Sequence, residues 1–263
     1  MSRRLMLACT VTVLILSACV AKHDRPPDRA DRHGEALHQP DHDGPSNRSA
    51  PQPFERSAAS CDPATHRFTL SIDNAYFLLP VGHRLVLAGE EDGRQIRLEI
   101  DVLDQTREIA GVMTRVVSET EWIDGERRER ALNYFAQSDD GTVCYFGEDV
   151  SFFRGDIEVS RRGSWHAGAD GALPGIMMPA TVEVDDWFSQ EAAPGIAEDY
   201  SLVVAIGLAV QTPIGMVSEV IELADWNPLE GDSLLDAEPK LYARGLGLIG
   251  DETLRLVQGL PIR

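Results

Sequence analysis

From residue 67 onward the chain shows alternation in place of a helical period. Apolar and polar residues take turns over 84–89, 96–103, 113–122 and 131–136. Strict alternation puts every second side chain on one face of a strand, so each run predicts a strand with one buried face. Asp92-Gly93, Asp124-Gly125 and Asp140-Gly141 stand between these runs. Asp-Gly accepts the two positive φ angles that a two-residue hairpin requires. Three such turns in close succession predict an antiparallel meander. Asp170-Gly171 marks a further turn, and 200–210, 215–226, 240–243 and 253–257 read again as strands. The segment 177–194 has no clear period.

The strand-rich region falls into two similar halves, about 84–150 and 186–259. Leu98, Val102, Gly111 and Trp122 lie 104 residues before Leu202, Ile206, Gly215 and Trp226. Each half reads as long strand, glycine turn, long strand ending in Trp, loop, strand. Antiparallel strands with one wet face must curl over something. The expected fold class is therefore all-β: a meander forming a curved sheet, a half-barrel or a barrel.

Charge narrows the partners. The chain has 24 Lys+Arg against 43 Asp+Glu, a formal charge of −19. Only two of those cations are lysine, Lys22 and Lys240. Residues 61–263 alone carry about −20. Such a surface repels phosphate backbones, which argues against nucleic acid as a partner, and it is also held off anionic headgroups. A solvated exterior accounts for the acidity without a dedicated cation surface.

The first residues differ in kind. Arg3 and Arg4 precede twelve apolar residues, 5–16. A bilayer-spanning helix needs roughly 20, so this run matches a cleaved secretory signal, residues 1–18. Leu16-Ser17-Ala18-Cys19 then resembles the lipobox of bacterial lipoproteins. That resemblance implies diacylglyceryl transfer to the Cys19 sulfur, cleavage before it, and acylation of the new amino group. The partner it implies is the lipid bilayer of the cell envelope. Val20, where an aspartate would favour inner-membrane retention, points to the outer membrane in a diderm cell.

Residues 19–60 are rich in Pro, Asp, Arg, Ser and His. Without enough apolar surface to offset ordering entropy, they are expected to form a disordered linker. His23, His33, His38 and His42 fall there, at spacings that match no closed metal site. The domain proper is expected over 61–263. Cys9 leaves with the signal and Cys19 is lipidated, which leaves Cys61 and Cys144. A disulfide between them, or two buried thiols, are both open, and the oxidising compartment favours the bridge.

The most site-like stretch is 145–179. It carries Glu148, Asp149, Trp165, His166 and Asp170 among several glycines. Hard oxygen ligands of this kind suit Ca²⁺, and a Trp beside carboxylates suits a sugar or peptide. The alternative is a core Trp with acids in turns. Whether any metal binds is unknown from sequence, and no other cofactor is expected. Ser164 and His166 lack a nucleophile elbow, and no zinc, Walker or EF-hand spacing occurs. Gly245-Leu246-Gly247-Leu248-Ile249-Gly250 matches a dinucleotide fingerprint in letters, but a short strand follows it where a helix is required.

Asn74-Ala75-Tyr76-Phe77-Leu78-Leu79-Pro80-Val81-Gly82 is similar to the opening motif N-x-Y-F-P-L-x-P-G of a family of uncharacterised bacterial lipoproteins and secreted proteins. It departs from that motif at Leu78 and Val81. The likeness continues through 145–149, 163–168 and 175–179. It implies a β-domain and no mechanism. The reading is a non-enzymatic domain that binds an apolar ligand or an envelope protein. The rivals are a structural or interaction protein without a ligand pocket, and a carboxylate enzyme acting on glycans.

Overall fold

The computed structural model describes residues 54–259. The signal, Cys19 and the greater part of the expected linker lie outside the described residues. The linker boundary itself moves. Phe54–Glu55 already form a strand, and Ala58–Cys61 a 3₁₀ turn capped by Ser57, so 54–60 belong to the domain.

The strands, in chain order, begin with β1 (Phe54–Glu55), β2 (Phe68–Thr69), β3 (Arg84–Glu91) and β4 (Arg94–Ile109). β5 (Val112–Ile123), β6 (Glu126–Ser138), β7 (Val143–Arg154) and β8 (Ile157–Ser160) follow. Next come β9 (Trp165–His166), β10 (Gly175–Met178), β11 (Asp186–Ser189) and β12 (Tyr200–Thr212). The last are β13 (Gly215–Trp226), β14 (Glu238–Ala243), β15 (Gly247–Asp251) and β16 (Leu254–Gln258). All belong to one sheet, whose main path runs β1-β11-β12-β13-β14-β15-β16-β3-β4-β5-β6-β7-β10. Every pairing is antiparallel except β1 with β11. The protein is all-β, an antiparallel meander as the alternation predicts. The segment without a clear period supplies β10 and β11.

The sheet curls until its ends touch. Leu173 and Ala192 form one isolated bridge between the β10 and β11 ends. A Cβ on Gly175 would stand 2.0 Å from the Gln190 carbonyl, so only glycine allows this approach. No ladder completes the seam, so the barrel is not closed.

Turn chemistry sets the register. Asp92-Gly93 and Asp124-Gly125 adopt positive φ at both positions and join β3 to β4 and β5 to β6 through two-residue turns. Asp140-Gly141 differs: its loop spans four residues, and only Gly141 has positive φ. The two repeated glycines also differ in place. Gly111 is the second turn residue between β4 and β5, whereas Gly215 is the first residue of β13. Gly245 and Gly247 flank the β14–β15 turn with positive φ, which accounts for the glycine-rich run there.

Inward parity fills the interior. Leu87 faces Leu98, Val102 faces Val117, Phe135 faces Tyr145, and Leu223 with Val203 lines the other wall. All are buried. Residues 70–82, with Ile72, Tyr76 and Leu79 buried in the core, form a plug, and Asn74 pins it: its amide donates to the Pro179 carbonyl at 2.9 Å and its Oδ1 accepts from the Tyr76 backbone. A cavity of about 40 Å³ remains beneath that plug, between Phe77, Leu85, Val117, Met177 and Tyr242. That is room for about one water molecule.

Candidate functional site

The structure divides the expected cluster in three. Glu148 and Asp149 are consecutive on β7, and consecutive strand residues point to opposite faces. Glu148 points inward, fully buried, opposite Asn133 of β6 and Trp165 of β9. Asp149 points outward. Asp170 belongs to neither group, because it sits in an exposed turn with φ of 50°.

Asp149 and His166 make an outer clamp. Arg107 of β4 donates to Asp149, and to the Tyr134 hydroxyl at 2.7 Å. The Tyr134 hydroxyl donates to Asp149 at 2.6 Å, and His166 Nε2 lies 3.2 Å from the same carboxylate. Burial pushes the Asp149 carboxyl up, but the Tyr134 hydroxyl and Arg107 outweigh it and hold it below the usual range. Burial, and then Arg107, lower the His166 imidazole against the upward pull of Asp149. Arg107, Tyr134 and Asp149 are hydrogen-bonded to one another, while His166 Nε2 lies beside Asp149 without a hydrogen bond of its own. The effect of the clamp is to fasten the β4–β5 hairpin onto β6, β7 and β9.

Trp165 is core. It is 4% exposed, its ring meets Tyr145 edge-on at 5.2 Å, and its indole N–H points to Glu191 Oε1 at 3.4 Å. Gly147 makes this packing possible, since a Cβ there would stand 2.2 Å from the Trp165 carbonyl.

The larger feature is one the sequence reading missed. Glu148 belongs to a belt of acids inside the sheet: Glu119 and Glu121 on β5, Glu129 on β6, Asp225 on β13, Asp251 on β15, with Glu191 and Asp199 flanking the β11–β12 loop. Lys240 of β14 stands among them, 3.5 Å from Asp251 Oδ1, with both side chains almost wholly buried. Ser201 donates to Asp225, and Glu191 and Asp199 share a hydrogen bond. Both Glu148 oxygens and both polar atoms of the Gln190 amide lack hydrogen-bond partners. The signal was present in the strand parity. Glu119 and Glu121 share the face of Val117 and Ile123, and Lys240 shares that of Tyr242.

Burial dominates the titration of these groups. It pushes Glu119, Glu121 and Asp225 up to about 7, and Asp199 to about 6. Glu148, Glu129 and Glu191 lie well above the ordinary carboxylate range, again by burial and then by neighbouring acids. The folded state therefore holds protons that the unfolded chain releases. The stability this contributes is complete below about pH 4 and is lost as pH rises through about 7. At about 1.4 kcal/mol per pH unit, a group raised as far as Asp225 costs the fold on the order of 4 kcal/mol by pH 8. The thermal midpoint is expected to fall by roughly 5–10 °C from pH 5.5 to 8. Glu148→Gln, which replaces a buried acid that the fold must keep protonated by a side chain that does not ionise, should raise the pH 8 midpoint and flatten that slope. A wild-type midpoint constant over this interval would contradict the protonated-belt picture.

Among the described residues, no three His, Cys, Asp or Glu side chains converge to hold a metal ion, so the calcium expectation gains no support from them. Also among them, no helix is long and apolar enough to cross a membrane. Two open grooves lie at the plug end. One, of about 620 Å³, runs between 70–81, Arg115 and Arg244. The other, of about 1000 Å³, lies between 82–84, the tip of the β12–β13 hairpin, Arg244 and the end of β16. Arg244 borders both, with its guanidinium 5.1 Å from the centre of the Tyr76 ring. In comparison with known proteins, no family profile, curated sequence or solved structure matches the chain.

Proposed function

We propose that this chain is a lipid-anchored protein of the cell envelope, held by acylated Cys19, with a non-enzymatic binding domain whose contact surface is the grooved end around Arg244. Val20 favours the outer membrane of a diderm cell. The observation that carries the binding reading is the contrast between a filled interior and two open grooves that meet at one arginine. A ligand of drug or lipid size needs roughly 300 Å³ or more, which the grooves provide and the 40 Å³ cavity between Phe77, Leu85 and Tyr242 does not. An apolar ligand held within the sheet, as a hollow barrel would allow, draws no support from that cavity. The ligand moves to the outside, and the alternative of an interaction protein without a buried pocket gains weight. A glycan-cleaving enzyme needs two carboxylates facing a cleft. Glu121, Glu129 and Glu148 face the packed interior, and the partly exposed Glu91, Glu238 and Glu252, which also come together, line neither groove.

Native mass spectrometry of protein purified from its own membranes tests both parts. The expected result is added diacylglyceryl and acyl mass on Cys19, with a non-covalent adduct that Arg244→Glu removes. An unmodified Cys19 would end the anchor reading. An adduct retained at the same occupancy in Arg244→Glu would move the binding surface elsewhere.

A further inference from the structure

The seam of the curled sheet is covered by a loop where a ladder would otherwise close it. Residues 190–199 join β11 to β12 and lie against β7 and β9 on the other side. Leu173 donates to the Ala192 carbonyl at 2.9 Å, and among the described residues no strand pairing continues from that bridge. The loop's shape comes from its own backbone. Gln190 and Glu191 donate to the Asp199 carbonyl, and Ala193 donates to that of Ala197. Ala193 and Ala197 are buried in the core, so the loop is packed in place.

Three acids meet where the loop crosses the seam. Glu148 comes from β7, and Glu191 and Asp199 come from the two ends of the loop; none is more than 2% exposed. Glu129 of β6, Glu119 of β5 and Tyr145 of β7 face Glu148. Trp165 of β9 directs its indole N–H at Glu191. Lys240 of β14, Asp225 of β13, and Glu230 and Asn227 from the β13–β14 connection face Asp199. Lys240 is the one cation in this set.

We propose that residues 190–199 are a latch: with Glu148, Glu191 and Asp199 protonated the loop stays docked across the seam, and their ionisation lifts it while the long strands remain paired. Glu191 and Asp199 share a hydrogen bond, which needs a proton on one of them. Two carboxylates at that separation repel each other. Both Glu148 oxygens lack a hydrogen-bond partner, so a charge there has no donor waiting for it. Water is the remedy, and lifting the loop admits it. The loop is also the element free to respond, because β7 is paired to β6 along most of its length. Burial raises all three acids, so docking is complete below about pH 4 and weakens as pH rises. Asp199 loses its proton first, at about 6, and Glu148 and Glu191 follow from well above the ordinary carboxylate range. No residue of 190–199 lines either groove, so the latch does not depend on the binding surface around Arg244.

Hydrogen exchange of the intact protein, read by mass spectrometry at pH 6 and pH 8.5, tests the latch. Each rate is divided by that of the unstructured chain at the same pH. If ionisation only weakens the whole fold, loop and strands lose protection together, since their amides then open in one event. A latch predicts that protection of 190–199 falls by about tenfold or more beyond that of 96–103 and 113–122. Glu191→Gln and Asp199→Asn do not ionise at these positions, and each should remove most of that excess. Equal falls in loop and strands, loop protection that does not change with pH, or an excess that both variants keep would each overturn the proposal. The wild-type comparison decides by itself where a variant does not fold.

Discussion

Lys240→Met is expected to destabilise the fold by about 3–5 kcal/mol, the usual cost of removing one partner from a buried ion pair. Lys240 and Asp251 are both almost fully buried, 3.5 Å apart. The same cation also draws Glu119, Asp199 and Asp225 downward against the burial that raises them. Without it, four carboxyls face low dielectric with no positive neighbour of this kind. They respond by taking up protons, so the loss should be greater at pH 8 than at pH 5. The double variant Lys240→Met/Asp251→Leu removes both charges and should recover at least half of it, because well-packed apolar replacements of a buried pair are often near neutral. Denaturant unfolding at the two pH values measures this. A single variant as stable as wild type at pH 8 would show that the pair contributes nothing.

Breaking the Cys61–Cys144 bridge is expected to cost about 4.5 kcal/mol and to lower the thermal midpoint by roughly 10 °C or more. The bridge joins residues 83 apart, with Cα atoms 5.5 Å from each other. It closes a loop containing β2 to β6, and the entropy of the unfolded chain rises when that loop opens. The native bridge also fastens the start of the domain to β7, next to the β10 pairing at Ile176 and Cys144. Arg56 holds the same region through its bonds to Asp186 at 2.8 and 2.5 Å, so the start of the domain should stay docked after reduction. Cys61→Ser/Cys144→Ser, unfolded by heat beside wild type, measures the cost. An unchanged midpoint would show that the unfolded chain is already constrained there.

Local chemistry was readable residue by residue. Alternation over 96–103 and 113–122 announced β4 and β5, and Asp92-Gly93 and Asp124-Gly125 announced their turns, because side-chain period and φ sign are properties of neighbouring residues. The candidate site was not readable in this way. Glu148, Asp149, Trp165, His166 and Asp170 are close in sequence, yet strand parity sends Glu148 and Trp165 inward and Asp149 outward. Sequence proximity within a strand is a poor guide to a shared site, since one residue exchanges the two faces.

By itself, the sequence determined the all-β class and the main hairpins. Each follows from rules that act over a few residues. Only the tertiary structure decided that acids from β5, β6, β7, β13 and β15 share one interior with Lys240, that the β4–β5 hairpin is clamped by Arg107, Tyr134 and Asp149, and that the β12–β13 hairpin keeps Ile214 and Met216 exposed. Those outcomes depend on how far the sheet curls and which strands become neighbours. That is set by the sum of packing around the whole ring, with Gly175 at the seam, and no short window of sequence contains it.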